Sequence, residues 1–200
     1  MLQLGPPPET ERADAARNRV LILEAARRII ERVGVDALTM EAVAREASVG
    51  KGTIFRRFGS RSLLMQSLLN ESEMDLQRRF LQGPPPLGPA TAEHPASPVD
   101  RLVAFGRARL ALLGVQGDLL RAAEEAPRDR YSSPAGATAG LHISMLLRAS
   151  GYRGDVAVLT FHLLAALDAT LVLYENRAQD ISMERLADGW EQLVLKVTAP

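Results

Sequence analysis

The sequence contains no cysteine, which excludes a disulfide framework and any thiol chemistry. Aromatic residues make up only 4% of the chain, although 46% of its residues are hydrophobic and Leu and Ala are abundant among them. No segment shows the period of two that predicts a β-strand, and no internal repeat is present. The sequence therefore predicts an all-α protein of one or two small domains with a sizeable core.

An excess of charge is also absent, since the formal net charge is zero. Taken alone, this argues against a nucleic-acid binder. The charge is unevenly distributed, however: residues 12–61 hold eleven Lys or Arg and six Asp or Glu, a net charge of +5, whereas residues 62–200 carry a net charge of −3. A basic N-terminal region is typical of a DNA-binding domain. The alternative is an ordinary charged surface that is unevenly sampled along the chain.

The N-terminus lacks the basic region and apolar core of a signal peptide, so we expect a cytoplasmic protein. Residues 1–14 are rich in Pro and Glu and predict a disordered leader. Arg12, Arg17 and Arg19 either form an arm that touches DNA or are solvated side chains without a role.

Residues 38–50 predict a short helix followed by a tight turn. Thr39 is a predicted N-cap, and apolar residues recur at helical spacing over about residues 40–47. Ser48-Val49-Gly50 then interrupts the period. A small residue on this helix, Ala44, would let a crossing helix approach closely.

A second, basic helix is predicted to start at Lys51 or Gly52. Ile54 and Phe58 lie four residues apart on one face, so we expect them to be buried while the basic side chains point outward. A helix-turn-helix needs this division, because the first turn of its second helix meets base edges in the major groove.

Together with the preceding helix, predicted over about residues 15–33, this segment resembles the DNA-binding domain of the TetR family of bacterial repressors. The resemblance covers about residues 17–68. It is carried by Ile22, Ala25, Ala26, Ile29, Val33, Gly34, Leu38, Thr39, Val43, Ala44, Ala47, Val49, the run from Lys51 to Phe58, Arg61, Leu63 and Leu64. The resemblance implies a homodimer that binds a palindromic double-stranded DNA operator and responds to a small-molecule effector that the sequence does not identify.

The chain departs from the family pattern at four positions. Ser48 stands where Gly is usual, at a turn position of positive φ, and Phe55 stands where Tyr is usual, so one phenol-to-phosphate contact is in doubt. Arg57 and Arg61 replace a common His and Lys, which preserves the capacity to bind phosphate.

The resemblance and the helix pattern together assign the DNA contacts. Base edges or nearby phosphates are assigned to Lys51, Gly52 and Thr53. Backbone contacts that set the register are assigned to Thr39, Phe55, Arg56, Arg57 and Arg61. Glu41, on the exposed side of the first short helix, either accepts from cytosine or is a solvated acid.

The remainder of the chain predicts further helices and one loop. Ser60 is a predicted N-cap for a helix reaching about Gln82. Five prolines within residues 83–97, followed by Pro98, predict a loop over residues 83–97. Helices are then expected over about residues 98–113, 118–126 and 134–150, the first of them capped by Ser97. We divide the chain into a leader (1–14), a helix-turn-helix domain (15–62) and an effector-binding and dimerisation domain (63–200).

The most apolar helix is expected to run from Asp155 to about Tyr174. Its length would allow a membrane span, but His162 and Asp168 inside it favour a helix buried in protein, with a second subunit covering one face. The last helix, about residues 183–197, is amphipathic. Its stripe of Met183, Leu186, Trp190, Leu193 and Val197 predicts a four-helix bundle with the partner subunit.

A small-molecule pocket is predicted where apolar residues lie beside isolated polar groups. The candidate pairs are Phe105 with Arg109, His142 with Met145, and Phe161 with Asp168. Core packing with exposed polar neighbours is the alternative for each pair. Arg109 and Asp168 would either pair with each other or orient the ligand, since neither tolerates burial alone.

No catalytic triad, metal-ligand spacing or phosphate loop is present, so we predict neither an enzyme nor a cofactor or metal site. The sequence predicts a DNA-binding transcriptional regulator, a repressor that an effector releases from its operator. The alternative is a DNA-binding interaction protein of the same fold that has no small-molecule effector.

Overall fold

The computed structural model describes residues 9–122 and 134–199. Within these ranges the chain forms nine α-helices and one short 3-10 helix, and no strand, which confirms the all-α prediction. The helices are α1 (Glu9–Val33), the 3-10 helix (Val35–Ala37), α2 (Met40–Glu46), α3 (Lys51–Phe58), α4 (Arg61–Gln82), α5 (Pro98–Ala122), α6 (Pro134–Ala149), α7 (Val156–Ala166), α8 (Ala169–Ala178) and α9 (Met183–Val197).

Helix α1 begins six residues earlier than predicted, at Glu9. Positions 1–8 of the predicted leader lie outside the described residues. Of the three arginines proposed for an arm, Arg17 pairs with Asp14 at 2.5 Å, and the guanidinium of Arg19 lies 5.4 Å from the centroid of the Phe58 ring. Nothing is described for the Arg12 side chain. The two described arginines therefore contact their own domain.

The described residues divide into two compact units, one of residues 9–69 with 119–122 and the other of residues 70–118 with 134–199. The first unit is built on a core to which α1, α2, α3 and the start of α4 all contribute. Its fully buried members include Ile22, Leu23, Leu38, Val43, Ile54, Leu64 and Met65. This core fixes the orientation of α3, whose other face is free to meet a partner.

The second unit has its core among α4, α5, α6, α7 and α9. Phe80, Leu102, Phe105, Leu113 and Ile143 are its largest fully buried side chains. Residues 83–97 connect α4 to α5 without helix or strand, as predicted. The predicted cap of α5 is confirmed, because the amide of Asp100 donates to Ser97 Oγ at 3.0 Å and the amide of Ser97 donates to Asp100 Oδ2 at 2.9 Å.

Two predicted helix boundaries are wrong. Helix α5 does not stop near Leu113 but continues to Ala122 through two glycines; residues 123–126 of the short helix predicted there lie outside the described residues. Gly117 is buried, and a Cβ on it would lie 2.6 Å from a methyl of Leu173 and 2.7 Å from Nη2 of Arg177. Glycine is therefore present because α8 packs closely there, and not because the helix ends.

The predicted apolar helix from Asp155 is broken at Leu167-Asp168 into α7 and α8. The Asp168 carboxylate accepts from the amides of Thr170 and Leu171, both at 3.0 Å, which makes it the N-cap of α8. An aspartate that caps a helix competes with the continuation of the helix before it. In the part of the chain that the structure describes, no single helix is long and apolar enough to cross a membrane, and α7 and α8, which pass the test only together, are bent by 40° at the break.

Candidate nucleic-acid interface

The turn between α2 and α3 has the geometry expected from the sequence. Thr39 caps α2, because its Oγ1 accepts from the amide of Ala42 at 3.0 Å. Ser48 has a φ of 55°, the left-handed conformation predicted for this position, at a cost of about 1 kcal/mol for a residue with a side chain. The amide of Val49 then donates to the carbonyl of Ala44 at 3.0 Å and closes the turn.

Helix α3 buries one face and exposes the other. Ile54 is completely buried and Phe58 is 5% exposed, as the spacing predicted, and both belong to the core of the first unit. Opposite them, Thr53 is half-buried. The exposed residues of the helix are Lys51, Gly52, Phe55, Arg56 and Arg57. The structure thus places six of the eight predicted DNA-binding residues on α3, outside its buried face.

Lys51 is held by two neighbours on this face. Its ammonium forms an ion pair with Glu41 of α2 and lies 5.9 Å from the centroid of the Phe55 ring. The hydrogen bond from Lys51 lowers the pKa of the Glu41 carboxyl below its ordinary value. At neutral pH the exposed surface therefore presents a carboxylate directly beside an ammonium.

Arg61 does not point freely towards solvent. It is half-buried at the start of α4, where Nε donates to the carbonyl of Leu38 at 2.6 Å and Nη2 donates to the carbonyl of Val35 at 2.9 Å. These carbonyls belong to the segment between α1 and α2. The guanidinium thus connects α4 to the entrance of the helix-turn-helix, and a phosphate contact by Arg61 stays a prediction.

The Arg61→Ala variant should be less stable by about 2 kcal/mol, because each hydrogen bond from a charged donor contributes about 1.5–3 kcal/mol and two carbonyls would lose their partner. Urea unfolding measures this loss. Arg56→Ala removes an equal charge from an exposed position and is the control, with an expected change within about 0.5 kcal/mol. Equal stability of the two variants would contradict the structural role of Arg61.

A second group of charges fixes α1 against α2. Glu46 accepts from Arg28 Nε at 3.0 Å and from Arg32 Nη2 at 2.9 Å. The hydrogen bonds from Arg32 and then Arg28 lower the pKa of the Glu46 carboxyl. These ion pairs hold Arg28 and Arg32 of α1 against the last turn of α2.

The residues predicted to line an effector pocket do not all come together. His142 packs between Phe105 and Phe80, with ring centroids at 5.2 Å and 4.4 Å, so the structure unites two of the predicted residues with one that the sequence analysis missed. Met145 is 47% exposed and Phe161 is 66% exposed. This exposure conflicts with their predicted place in a pocket. The prediction relied on spacings of three and seven residues from a polar side chain, and such spacings do not ensure that the two side chains share the same surroundings.

Of the two alternatives for Arg109 and Asp168, mutual pairing is not what the structure shows, and the orientation of a ligand stays a prediction. Arg109 forms an ion pair with Glu73 of α4, and Asp168 caps α8. Inside a continuous helix, as predicted from the sequence, Asp168 would have needed a cation. At a helix N-terminus its carboxylate is stabilised by backbone amides instead.

The second unit contains buried polar atoms without a hydrogen-bond partner. Among the described residues, Nδ1 and Nε2 of His142, Nε of Arg101 and Oγ1 of Thr160 are buried and have no hydrogen-bond partner. Burial, and then the charge of Arg101, lower the pKa of His142 from 6.5 to about 4. His142 is thus neutral at physiological pH. Arg101 gave no sequence signal of its own, because its contacts are on other helices: Nη2 donates to the carbonyl of Phe80 on α4, and its charge acts on His142 of α6.

The comparisons with known proteins agree with this geometry. Residues 22–68 match the family model described as bacterial regulatory proteins of the tetR family. No curated protein matches the chain. Within the described ranges, no three His, Asp or Glu side chains are grouped so that they could hold a metal ion.

Solved structures of low sequence identity share the fold over nearly the whole chain. A regulator of the TetR/AcrR family from Thermobifida fusca is 18% identical, with 92% of this chain and 100% of that chain covered and a TM-score of 0.66. The multidrug binding protein EbrR, complexed with imidazole, is 22% identical, with 92% and 96% covered and a TM-score of 0.57. NalD of Pseudomonas aeruginosa, the secondary repressor of the MexAB-OprM multidrug efflux pump, is 15% identical, with 92% and 97% covered and a TM-score of 0.55.

The family model matches the segment whose turn, buried face and exposed basic face form a helix-turn-helix, and the solved structures extend the likeness to the second unit. Residues 22–68 therefore match the DNA-binding region of the tetR family, and the chain as a whole shares the fold of solved TetR-family regulators.

Proposed function

We propose that the chain is a homodimeric repressor of the cytoplasm that binds a two-fold symmetric operator through α3 and is released by a small-molecule effector bound in the second unit. The exposed face of α3 carries this proposal, because it combines cations with a glycine that the chain itself does not need. The effector and the dimer rest on separate observations in the second unit.

Gly52 is exposed in the first turn of α3, and a Cβ built on it would meet no heavy atom within 4 Å. Its φ is not positive, so an alanine would fit without strain. Glycine within a helix is less favourable than alanine by about 0.8–1 kcal/mol. Nothing inside the domain accounts for this cost, whereas the close approach of a DNA backbone or base edge does.

The Gly52→Ala variant is expected to unfold at higher urea concentration, with a gain of about 0.5–1 kcal/mol, and to bind DNA more weakly by about tenfold or more, because the added methyl keeps α3 away from the groove. Urea unfolding and fluorescence anisotropy on duplex DNA measure the two effects. Gly189→Ala on α9, where a Cβ also meets nothing within 4 Å, is the control and should gain stability at unchanged DNA affinity. Unchanged affinity in Gly52→Ala would contradict the assignment of α3 as the reading helix.

The other exposed side chains have roles that follow from their chemistry. We assign Arg56 and Arg57 to phosphates, and Lys51 and Thr53 to base edges at the start of the helix. Thr39 and Phe55 flank this surface, where Thr39 positions α2 and Phe55 supports Lys51. Arg61 stabilises the fold of the domain, and only the N–H groups of its guanidinium that do not bind the carbonyls of Val35 and Leu38 could contact a phosphate.

The dimer is supported by an apolar surface on α7 and α8. Val158 is 49% exposed and Phe161 is 66% exposed, three residues apart on α7, and Leu171 and Tyr174 of α8 are 50% and 54% exposed. Large apolar side chains grouped in this way mark an interface. Trp190, by contrast, is 4% exposed within the chain's own core, whereas Leu193 of the same stripe is 38% exposed. The prediction that the stripe faces the partner subunit therefore does not hold for Trp190.

The Phe161→Glu variant should sediment as a monomer at micromolar concentration, because dimerisation would bury an unpaired carboxylate at the centre of this surface. Phe161→Leu retains an apolar side chain and should stay dimeric. Val115→Glu, at an apolar residue of α5 that is 83% exposed, controls for the added charge. A dimeric Phe161→Glu protein would contradict this interface.

The effector is supported by the unsatisfied polar atoms of His142 and of Arg101, whose charge acts on His142. Each buried polar atom without a partner costs about 1–3 kcal/mol. A small molecule that hydrogen-bonds to these atoms recovers part of that cost, and the rings of Phe80 and Phe105 would contact its apolar part. EbrR and NalD share the fold, and EbrR is a multidrug binding protein.

One observation favours a second candidate, a DNA-binding regulator of the same fold without an effector. Phe80 and His142 are each 2% exposed and Phe105 is 1% exposed, so in this conformation the aromatic cluster is tightly packed. A ligand would have to open it. A ligand-linked rise in melting temperature that disappears in His142→Leu distinguishes the effector-responsive regulator from this alternative.

A further inference from the structure

The ion pair between Glu41 and Lys51 joins the two helices of the helix-turn-helix on the surface that we assign to DNA. Glu41 lies in the first turn of α2, and Lys51 is the first residue of α3. Their side chains are 54% and 59% exposed, and the contact joins Oε1 of Glu41 to Nζ of Lys51. They border a shallow depression lined by Glu41, Ala44, Arg45, Ser48, Val49 and Lys51.

An exposed ion pair contributes little to folding stability, so stability does not explain the presence of this pair on the surface assigned to DNA. A carboxylate on the face that meets DNA repels phosphates, and it also weakens any phosphate contact made by the lysine that it holds. Neither effect helps a lysine that only neutralises the backbone. Both effects are reduced when the pair faces the floor of the groove, where the bases present hydrogen-bonding edges.

We propose that Glu41 and Lys51 together read one G·C base pair in each operator half-site, with Lys51 donating to guanine and Glu41 accepting from the paired cytosine. This proposal rests on the proposed function, because it requires α3 to lie in the major groove. It makes Glu41 a specificity-determining residue, in addition to its contact with Lys51.

The donor and acceptor pattern supports the choice of base pair. An ammonium only donates and a carboxylate only accepts. In the major groove guanine presents two adjacent acceptors, N7 and O6, and the N4 amino group of cytosine is the next donor along the edge. In an A·T pair the donor lies between two acceptors, and the thymine methyl follows. One ammonium beside one carboxylate therefore matches the G·C edge better.

Two contacts prepare the pair for this role. The Phe55 ring lies 5.9 Å from Nζ of Lys51, so the ammonium contacts this ring as well as Glu41. The Glu41 carboxyl is ionised at neutral pH, and the hydrogen bond from Lys51 lowers its pKa further. Hence donor and acceptor are held side by side before DNA arrives.

The test is selection from a library of duplexes with about 25 randomised base pairs, a length that spans two half-sites, by the wild type and three variants. We expect wild-type sequences to carry G·C at one symmetric position. Glu41→Gln should relax that position by roughly 5- to 150-fold and leave the others unchanged. Lys51→Met should relax the same position, with no further loss when the two substitutions are combined. Glu24→Gln removes the same charge from an exposed position of α1 and should select the wild-type sequences.

The possible results separate this proposal from the proposed function. If Glu41→Gln selects the same base pair at every position as the wild type, the reading role of Glu41 is wrong while operator binding stands. If the two substitutions relax different base pairs, the shared reading is likewise wrong. If the wild type enriches no sequence at all, both proposals fail.

Discussion

The Trp190→Ala variant is expected to lose about 3–5 kcal/mol of unfolding free energy, the usual cost of removing a buried aromatic side chain. Trp190 is 4% exposed, and its indole N–H donates to the carbonyls of Leu102 and Val103, both at 3.2 Å. The ring lies against Gly106 of α5, where a Cβ would collide with it. Urea unfolding of wild type and variant measures the difference, and a loss below about 1 kcal/mol would contradict the structure at this position.

The same contact predicts the effect of adding a single methyl group. Gly106→Ala should destabilise the protein by about 1–3 kcal/mol or more, because the indole cannot move without giving up its hydrogen bonds. Gly189→Ala is the matched control: it lies next to Trp190 on α9, its Cβ meets nothing within 4 Å, and alanine in its place should add about 0.5–1 kcal/mol. Two alanines on facing helices would thus change stability in opposite directions.

His142 should make stability fall as the pH is lowered. Its pKa is about 4 in the folded chain and about 6.5 when unfolded. Below pH 6.5 the unfolded chain binds a proton that the folded chain does not, so stability is lost progressively down to about pH 4. The loss attributable to His142 should reach about 2 kcal/mol at pH 5 and about 3 kcal/mol at pH 4.

The His142→Leu variant isolates this effect. It removes the titrating group and two unsatisfied nitrogens, so it should be more stable than the wild type by about 1–3 kcal/mol near pH 7.5, and the difference should grow by about 2 kcal/mol at pH 5. Phe105→Leu alters the packing of the same cluster without changing a titratable group, so its loss should be similar at both pH values. A His142→Leu difference that does not grow as the pH falls would show that the imidazole is not desolvated in the folded state.

The helix-turn-helix could be predicted from the sequence because its determinants are local. Thr39 caps the helix that directly follows it, Ser48 sits in a turn that its own neighbours close, and Ile54 and Phe58 share a face because they are one turn apart. None of these features depends on how distant helices pack. The family resemblance added the function of the exposed face.

The second unit could be predicted only in outline, because its pairings join residues far apart in the sequence. The stripe containing Trp190 is amphipathic, as predicted, but an amphipathic pattern does not show whether it packs against the same chain or a partner. Trp190 packs within its own chain, because Gly106 leaves room for the indole. Arg109 has Glu73 as its partner, 36 residues earlier. Asp168 was interpreted as a buried polar residue, because the sequence around it does not distinguish an aspartate inside a helix from one that caps a new helix.

Arg61 shows the same limit within the DNA-binding unit. A basic residue just after the reading helix predicts a phosphate contact, yet two of its donors bind the carbonyls of Val35 and Leu38, more than twenty residues earlier. Phe80 and Arg101 were missed because their relation to His142 appears only when α4, α5 and α6 are packed together. The sequence showed which residues are apolar or charged, but it did not show which residues of other helices they would contact.

If two copies of α3 read DNA together, the most direct test is the enrichment of duplexes from a random library by the unmodified chain. Because a dimer presents two identical reading helices, the enriched sequences should be inverted repeats whose half-site centres are about 10 base pairs, or a multiple of that distance, apart. Enrichment of sequences without two-fold symmetry, or no enrichment over the starting library, would contradict this joint reading.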